Sequence, residues 1–236
     1  MFLTQDTAER LLANDLVIRI DPRSVTHEVG PKKPVTRPAK KLVQSLLPFA
    51  PRIRKRAADF LDSLHPFALS AVLYPTPRPI EENDKYRKVE DLVRNVEDYT
   101  SSRWFHSLMQ DLSCRGQARH KKILMLSETD IHRFFLEYAC PLIHSLQRDG
   151  YLEDLTSPGT VLIGADGEIH KAGSATHRFF IARCLGVNPV SVRVVGVHHG
   201  WLRARGITPN SDDVLQRIPS AIQALSPERH TLPPVS

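Results

Sequence analysis

The sequence lacks the features that mark membrane, secreted or metal-thiolate proteins. No apolar run approaches the roughly 18 residues that a bilayer-spanning helix needs. The N-terminus has no basic region followed by an apolar region, as a secretory signal would have. Its three cysteines are widely spaced and include no Cys-x-x-Cys pair, which argues against a disulfide framework and a thiolate zinc site. We therefore expect a cytoplasmic protein without a membrane partner.

The composition is that of an ordinary globular protein, but its charge is unevenly distributed. Of the 236 residues, 41% are hydrophobic and 25% are charged, and the formal net charge is +6. Residues 1–56 carry twelve Lys and Arg against five Asp and Glu, a net of +7, so residues 57–236 sum to −1. The basic excess at the N-terminus allows an anionic partner, such as nucleic acid or another polyanion, to bind residues 1–56.

Proline follows the same division of the chain. Ten of the eighteen prolines lie between Pro22 and Pro79, and each one restricts the residue before it and removes a backbone donor. The segment 75–79 is predicted to be a stiff connection between two parts of the chain. We expect a basic, Pro-rich, helical extension over residues 1–80, a domain over residues 81–205, and a C-terminal helix with a disordered tail over residues 206–236.

Helical periodicity is found along much of the chain. Ser127 is predicted to cap a long helix, with Asp130 in a capping-box position. Pro141 should kink that helix or split it. Apolar residues spaced three and four apart predict helices over residues 4–14, 52–64, 88–96, 102–114, 127–149 and 212–225.

Strand patterns predict a sheet. Val161 to His170 reads as a hairpin with a tight Asp-Gly turn, and Val190 to Val197 alternates and is rich in β-branched residues. Between them, His177 to Leu185 is predicted to be a helix that stops at Gly186. Residues 15–20 are predicted to form a further short strand. The predicted fold is α/β (α+β), with a small mixed sheet and packed helices.

The joints between these elements carry a specific pattern. They include the turn Asp166-Gly167, the helix start Ala175-Thr176-His177-Arg178, the helix stop Leu185-Gly186, and Pro189-Val190 at the last strand. With these joints, residues 141–195, about a quarter of the chain, resemble the core of the ParB/sulfiredoxin superfamily. The ending His198-His199-Gly200-Trp201 is similar to that of poorly characterised bacterial members.

The resemblance implies a nucleotide whose phosphates contact the helix that begins near Thr176. ParB-type proteins bind CTP there, and sulfiredoxin and the free-serine kinases bind adenine nucleotides. The residues themselves agree, because a helix start exposes N–H groups and the positive dipole end, and arginine offers a bidentate fork. The predicted phosphate contacts are Lys171, Ser174, Thr176, His177 and Arg178. A nucleoside triphosphate with Mg²⁺ is the expected cofactor, and the predicted chemistry is phosphoryl transfer or nucleotide hydrolysis, with no catalytic residue identified.

Three departures from the family pattern leave other functions open. Thr176 stands where sulfiredoxin has its cysteine, which disfavours sulfinic-acid reduction. Phe180 replaces the second arginine of ParB-type CTP sites, and Ala175 replaces the leading glycine. One alternative is a nucleic-acid-binding protein that uses the basic N-terminal segment. Another is an interaction module that keeps the fold without the chemistry.

Overall fold

The computed structural model describes residues 3–46, 49–152, 157–209 and 213–226. Its α-helices are α1 (Gln5–Leu12), α2 (Arg37–Leu46), α3 (Pro51–Ser63), α4 (Asp84–Arg94), α5 (Arg103–Arg115), α6 (Glu128–Phe134), α7 (Cys140–Asp149), α8 (Thr176–Leu185), α9 (His199–Ala204) and α10 (Val214–Gln223). The strands are β1 (Val17–Ile20), β2 (His27–Gly30), β3 (Ala68–Leu69), β4 (Arg78–Pro79), β5 (Ala118–His120), β6 (Ile123–Met125), β7 (Gly159–Ile163), β8 (Ile169–Ala172) and β9 (Val190–His198).

A mixed sheet of seven strands organises the chain, which confirms the predicted mixed α/β class. The strand order is β1-β9-β7-β8-β2-β4, and β3 also pairs with β9. The predicted hairpin is present as antiparallel β7 and β8, while β9 runs parallel to β7 and antiparallel to β1. The strands β1 to β4 come from residues 1–80, so the predicted N-terminal extension contributes strands to the same sheet as the predicted domain.

The edge of the sheet corrects one prediction. Residues 75–79 were expected to form a connection, but Arg78 and Pro79 form β4, which pairs antiparallel with β2. An edge strand can contain proline, because one side of it needs no ladder hydrogen bonds. A second difference is the small β5–β6 hairpin, which the sequence pattern did not predict.

Several predicted helices are present with the local signals that the sequence indicated, whereas α2 and α9 were not predicted. Ser127 and Asp130 form a reciprocal capping box at the start of α6. A π-helical turn over Phe135–Ala139 separates α6 from α7, just before Pro141. Proline cannot donate to the carbonyl four residues earlier, so the helix changes its hydrogen-bonding pattern at this point. The predicted division of this helix at Pro141 is confirmed.

The helix α8 packs its apolar residues into the core, and Gly186 ends it in the left-handed conformation. Buried on α8 are Phe179, Phe180, Ile181 and Ala182. The C-terminal helix is present as α10. The tail that was expected to be disordered lies largely outside the described residues. Within the described ranges, no helix is both long enough and apolar enough to cross a bilayer.

The helices α2 and α3 form a pair that we call the N-terminal hairpin (residues 37–64). Among its described residues, neither helix contains a buried side chain. Lys40 Nζ lies 2.5 Å from Asp62 Oδ2, and Thr36 Oγ1 donates to Asp62 Oδ1 at 3.2 Å. These contacts join the start of α2 to the end of α3, so the two helices run antiparallel.

Candidate functional site

A tight turn joins β8 to α8 and fixes the backbone at the predicted phosphate site. Gly173 (φ 41°) and Ala175 (φ 52°) both have positive φ. Thr160 Oγ1, on β7, accepts a hydrogen bond from Ser174 N at 3.0 Å. Thr176 Oγ1 donates to Gly173 O at 2.7 Å. The turn is therefore held both by the neighbouring strand and by its own side chains.

The first turn of α8 presents unpaired backbone donors. Ala175 supplies no side-chain cap, and the first bond of this turn runs from Phe179 N to Ala175 O at 3.0 Å. Within the described part of the chain, the N–H groups of residues 175–178 have no acceptor. Unpaired amides at the positive end of a helix dipole favour an anion such as a phosphate.

Lys171, another of the predicted phosphate contacts, directs its side-chain nitrogen at backbone carbonyls. Its side chain is buried, and its ammonium group donates to the carbonyl oxygens of Ala172, Ser174 (2.7 Å) and Thr160 (3.3 Å). Burial lowers the pKa of Lys171 to about 7. In this conformation the ammonium group stabilises the turn through these hydrogen bonds. Direct contact between Lys171 and phosphate stays a prediction.

The other predicted residues lie on or beside the turn. Ser174 is exposed, and its hydroxyl donates to Thr160 Oγ1 at 3.3 Å. Arg178 is half-buried in the first turn of α8, and its guanidinium has no ion-pair partner among the described residues. The structure brings Ser174, Thr176 and Arg178 together at one helix end, with Lys171 beneath them.

His177 belongs to an aromatic cluster that was not predicted from the sequence. Its ring stacks on Trp104 at a centroid distance of 5.2 Å, and it meets the edge of His120 at 4.8 Å. Burial lowers the pKa of His177 to about 3 and that of His120 to about 4, with Lys85 and Lys121 adding repulsion. Both rings are therefore neutral near pH 7.

Each of these two rings keeps one nitrogen without a partner. His177 Nδ1 and His120 Nε2 are buried and make no hydrogen bond with the described residues. His120 as a whole is only 8% exposed. Most buried polar atoms in proteins have a hydrogen-bond partner. Two buried ring nitrogens without one, on adjacent histidines, therefore make this cluster a candidate for ligand binding.

A cleft of about 420 Å³ opens beside this cluster, between α4, α5, the β5–β6 hairpin and the start of α8. Lys88, on one wall, is held by Asp84 and Ser107, both at 2.9 Å. Three further cations have no ion-pair partner within the described residues. They are Lys85, Arg119 and Lys121. The cleft is thus positive overall, and His177 in the first turn of α8 forms part of its lining.

The sequence contains one signal for the basic wall of this cleft, which was not predicted. The run Arg119-His120-Lys121-Lys122 is strongly basic, and basic clusters can indicate an anion-binding surface. Its partner His177 lies 57 residues later in the chain, so only the fold brings the two histidines together.

Magnesium would need oxygen ligands at this site. The carboxylates that line the cleft are Asp84 and Asp111, which pair with Lys88 at 2.9 Å and Arg115 at 3.1 Å. Among the described residues, no group of three His, Cys, Asp or Glu side chains is placed to hold a metal ion. Mg²⁺ is commonly held by one or two carboxylates together with substrate phosphates, and its binding here together with a nucleotide stays a prediction.

A second polar cluster lies against the opposite side of β8. Tyr74 Oη and His170 Nδ1 are 2.8 Å apart, and His170 Nε2 is 3.3 Å from Glu168 Oε2. Tyr74 also packs its ring against His198. Desolvation raises the pKa of Tyr74 and lowers that of His170. Both ring nitrogens of the buried His170 therefore have a partner, unlike those of His120 and His177.

No family model matches this chain, and neither a curated protein nor a solved structure matches it. The resemblance to the ParB/sulfiredoxin superfamily therefore stays a prediction.

Proposed function

We propose that this protein binds a nucleotide, with its phosphates at the start of α8 and the rest of the molecule in the adjoining cleft. The observation that carries the proposal is the set of unpaired amides of residues 175–178 at the end of a ten-residue helix. A phosphate oxygen can accept hydrogen bonds from several such amides at once. The resemblance of residues 141–195 to a superfamily of nucleotide-binding proteins supports the same conclusion.

The charge around the site supports a ligand with several negative charges. Arg178 offers a bidentate fork in the first turn of α8, and the cleft adds Lys85, Arg119 and Lys121, which have no ion-pair partner in the part of the chain that the structure describes. A triphosphate carries enough charge to engage both groups. Lys171 then acts as a positioning residue, because its side-chain nitrogen joins the carbonyl oxygens of Ala172 and Ser174 to that of Thr160 on β7.

The two neutral histidines suit the uncharged part of a nucleotide. His177 Nδ1 and His120 Nε2 can each donate or accept, depending on the tautomer. Ribose hydroxyls and base edges provide partners of both kinds. Any phosphoryl transfer or hydrolysis would depend on positioning and on neutralisation of charge, which the cations of this cleft could supply.

Calorimetric titration with ATP, ADP, CTP and GTP, with and without Mg²⁺, tests the proposal. We expect at least one nucleotide to bind the wild type, and Arg178→Ala and Arg119→Ala each to weaken that binding by roughly tenfold, as loss of a charge-assisted hydrogen bond does. Arg148→Ala is the matched control, since Arg148 is exposed and pairs with Asp149. Phosphate release in the same samples reports turnover.

Two results of this titration would contradict the proposal or its site. Absence of binding by all four nucleotides would overturn the proposed function. Equal affinity in wild type and Arg178→Ala would show that the phosphates lie elsewhere. Quenching of Trp104 fluorescence, assigned with Trp104→Phe, reports whether the ligand occupies the cleft.

A further inference from the structure

The N-terminal hairpin exposes apolar side chains that a folded chain ordinarily buries. Phe49, between the two helices, is 97% exposed. The large exposed apolar side chains of the hairpin are Leu42, Leu46, Phe49, Ile53, Phe60 and Leu64. So many on one small element exceed the scattered exposed residues of a normal surface, and such a patch marks an interaction site.

These side chains share one side of the hairpin. Exposed Leu42 precedes half-buried Val43, and exposed Phe60 precedes half-buried Leu61. Successive residues are rotated by about 100° around a helix axis. In each helix, the exposed apolar stripe therefore lies about 100° from the half-buried side, in the same direction of rotation. Because the helices run antiparallel, equal rotations place both stripes on the same side of the pair.

Cations flank this apolar side. Residues 37–64 contain seven Lys and Arg against two Asp, a net of +5. Only Lys40 has an ion-pair partner among the described residues. The remaining cations of the hairpin are Arg37, Lys41, Arg52, Arg54, Lys55 and Arg56. On a helical projection, Arg52 and Arg56 lie at the outer border of the stripe formed by Ile53 and Phe60.

We infer that the N-terminal hairpin binds the surface of an anionic lipid bilayer. The apolar side would enter the boundary between headgroups and acyl chains, and the flanking cations would contact lipid phosphates and carboxylates. This combination is typical of helices that lie on a membrane without crossing it. The inference departs from the expectation of no membrane partner, which rested on the lack of a spanning segment and of a secretory signal.

Other occupants fit the hairpin less well. Nucleic acid would engage the cations through its phosphates, but it gives no reason for six large exposed apolar side chains on the hairpin. A second copy of the chain would bring a net +5 against a net +5, which opposes association at low salt.

Co-sedimentation of the full chain with vesicles tests the inference. We expect binding to phosphatidylcholine vesicles that contain about one third phosphatidylglycerol, and little binding to pure phosphatidylcholine. Leu46→Ser with Phe60→Ser should weaken binding at least roughly tenfold through lost apolar burial. Arg52→Ser with Arg56→Ser should weaken it by roughly thirtyfold, since each cation near the surface contributes about a factor of five.

Matched controls separate the hairpin from general effects of charge and hydrophobicity. Leu136→Ser with Val72→Ser removes two exposed apolar side chains elsewhere, and both changes should leave vesicle binding intact. A Phe49→Trp variant should show a blue shift in emission with anionic vesicles, compared with the wild type. All the substituted hairpin positions are exposed, so the fold should persist.

Four outcomes would overturn the inference. The wild type could fail to bind anionic vesicles. It could bind them equally well after both hairpin double substitutions. Sedimentation velocity could instead show self-association that Leu46→Ser and Phe60→Ser abolish, which would assign the apolar side to a second copy. Binding to DNA that depends on Arg52 and Arg56, without vesicle binding, would assign the hairpin to nucleic acid.

Discussion

The start of α8 and the N-terminal hairpin both carry positive charge, but they hold it in opposite ways. Beneath α8, Lys171 is 2% exposed and its ammonium donates to three carbonyls. In the hairpin, cations such as Lys41 and Arg56 are exposed, and they have no ion-pair partner among the described residues. The first arrangement shapes a small concave site, and the second suits an extended anionic surface.

Net charge alone therefore does not identify the partner. The value of +6 for the whole chain combines a buried lysine, a positive cleft and an exposed hairpin, and each has a different physical consequence. Three measurements test this difference between the two regions.

Substitution of Lys171 should have the largest effect on stability. Lys171→Ala leaves three carbonyls without their donor and opens a cavity, so we expect the free energy of unfolding to fall by about 3 kcal/mol or more. Lys41→Ala is the matched control in the hairpin and should change stability by no more than about 0.5 kcal/mol. Urea denaturation at pH 6, where Lys171 with its pKa of about 7 is mostly protonated, measures both.

A comparable loss in the two lysine variants would contradict the contrast. Lys171→Met separates the two contributions in Lys171→Ala, because it restores most of the packing but not the donor. The free energy of unfolding of Lys171→Met should lie between those of the wild type and Lys171→Ala.

Acid should lower the free energy of unfolding through the two buried histidines of the cleft. The pKa values of His177 (about 3) and His120 (about 4) lie below their ordinary value of 6.5. As the pH falls below about 6.5, the unfolded chain therefore takes up protons before the folded one, and stability is lost. At pH 5 the loss is roughly 2 kcal/mol for each histidine.

Urea denaturation at pH 7 and pH 5 measures this loss. The variant His120→Phe with His177→Phe should lose less stability between the two pH values than the wild type does. His65, whose pKa is also lowered to about 4 by burial, remains in both proteins and contributes equally. An unchanged pH dependence in the variant would show that the two histidines are not the buried neutral pair described above.

The sequence predicted the parts of the fold that depend on local chemistry. Ser127 and Asp130 cap α6, Gly186 ends α8, and β-branched residues form β9, each within a few residues of the predicted bounds. Such signals act over a single turn or strand, so they can be read without knowing the tertiary structure.

The cleft could not be predicted in this way. His120 and Trp104 meet His177 because α5 and the β5–β6 hairpin pack beside α8, and no local pattern encodes that approach. The position of Lys171 shows the same limit. Strand alternation assigns its side chain to one face of β8, but only the fold of the turn brings three carbonyl oxygens around its ammonium group.

Hydrogen exchange with two ligands tests the contrast between the regions most directly. With the nucleotide that binds most tightly, we predict slower amide exchange over residues 175–178 and unchanged exchange over residues 37–64. With anionic vesicles, we predict slower exchange over residues 37–64 and no change at the start of α8. Protection of the hairpin by nucleotide, with none at the start of α8, would contradict the account.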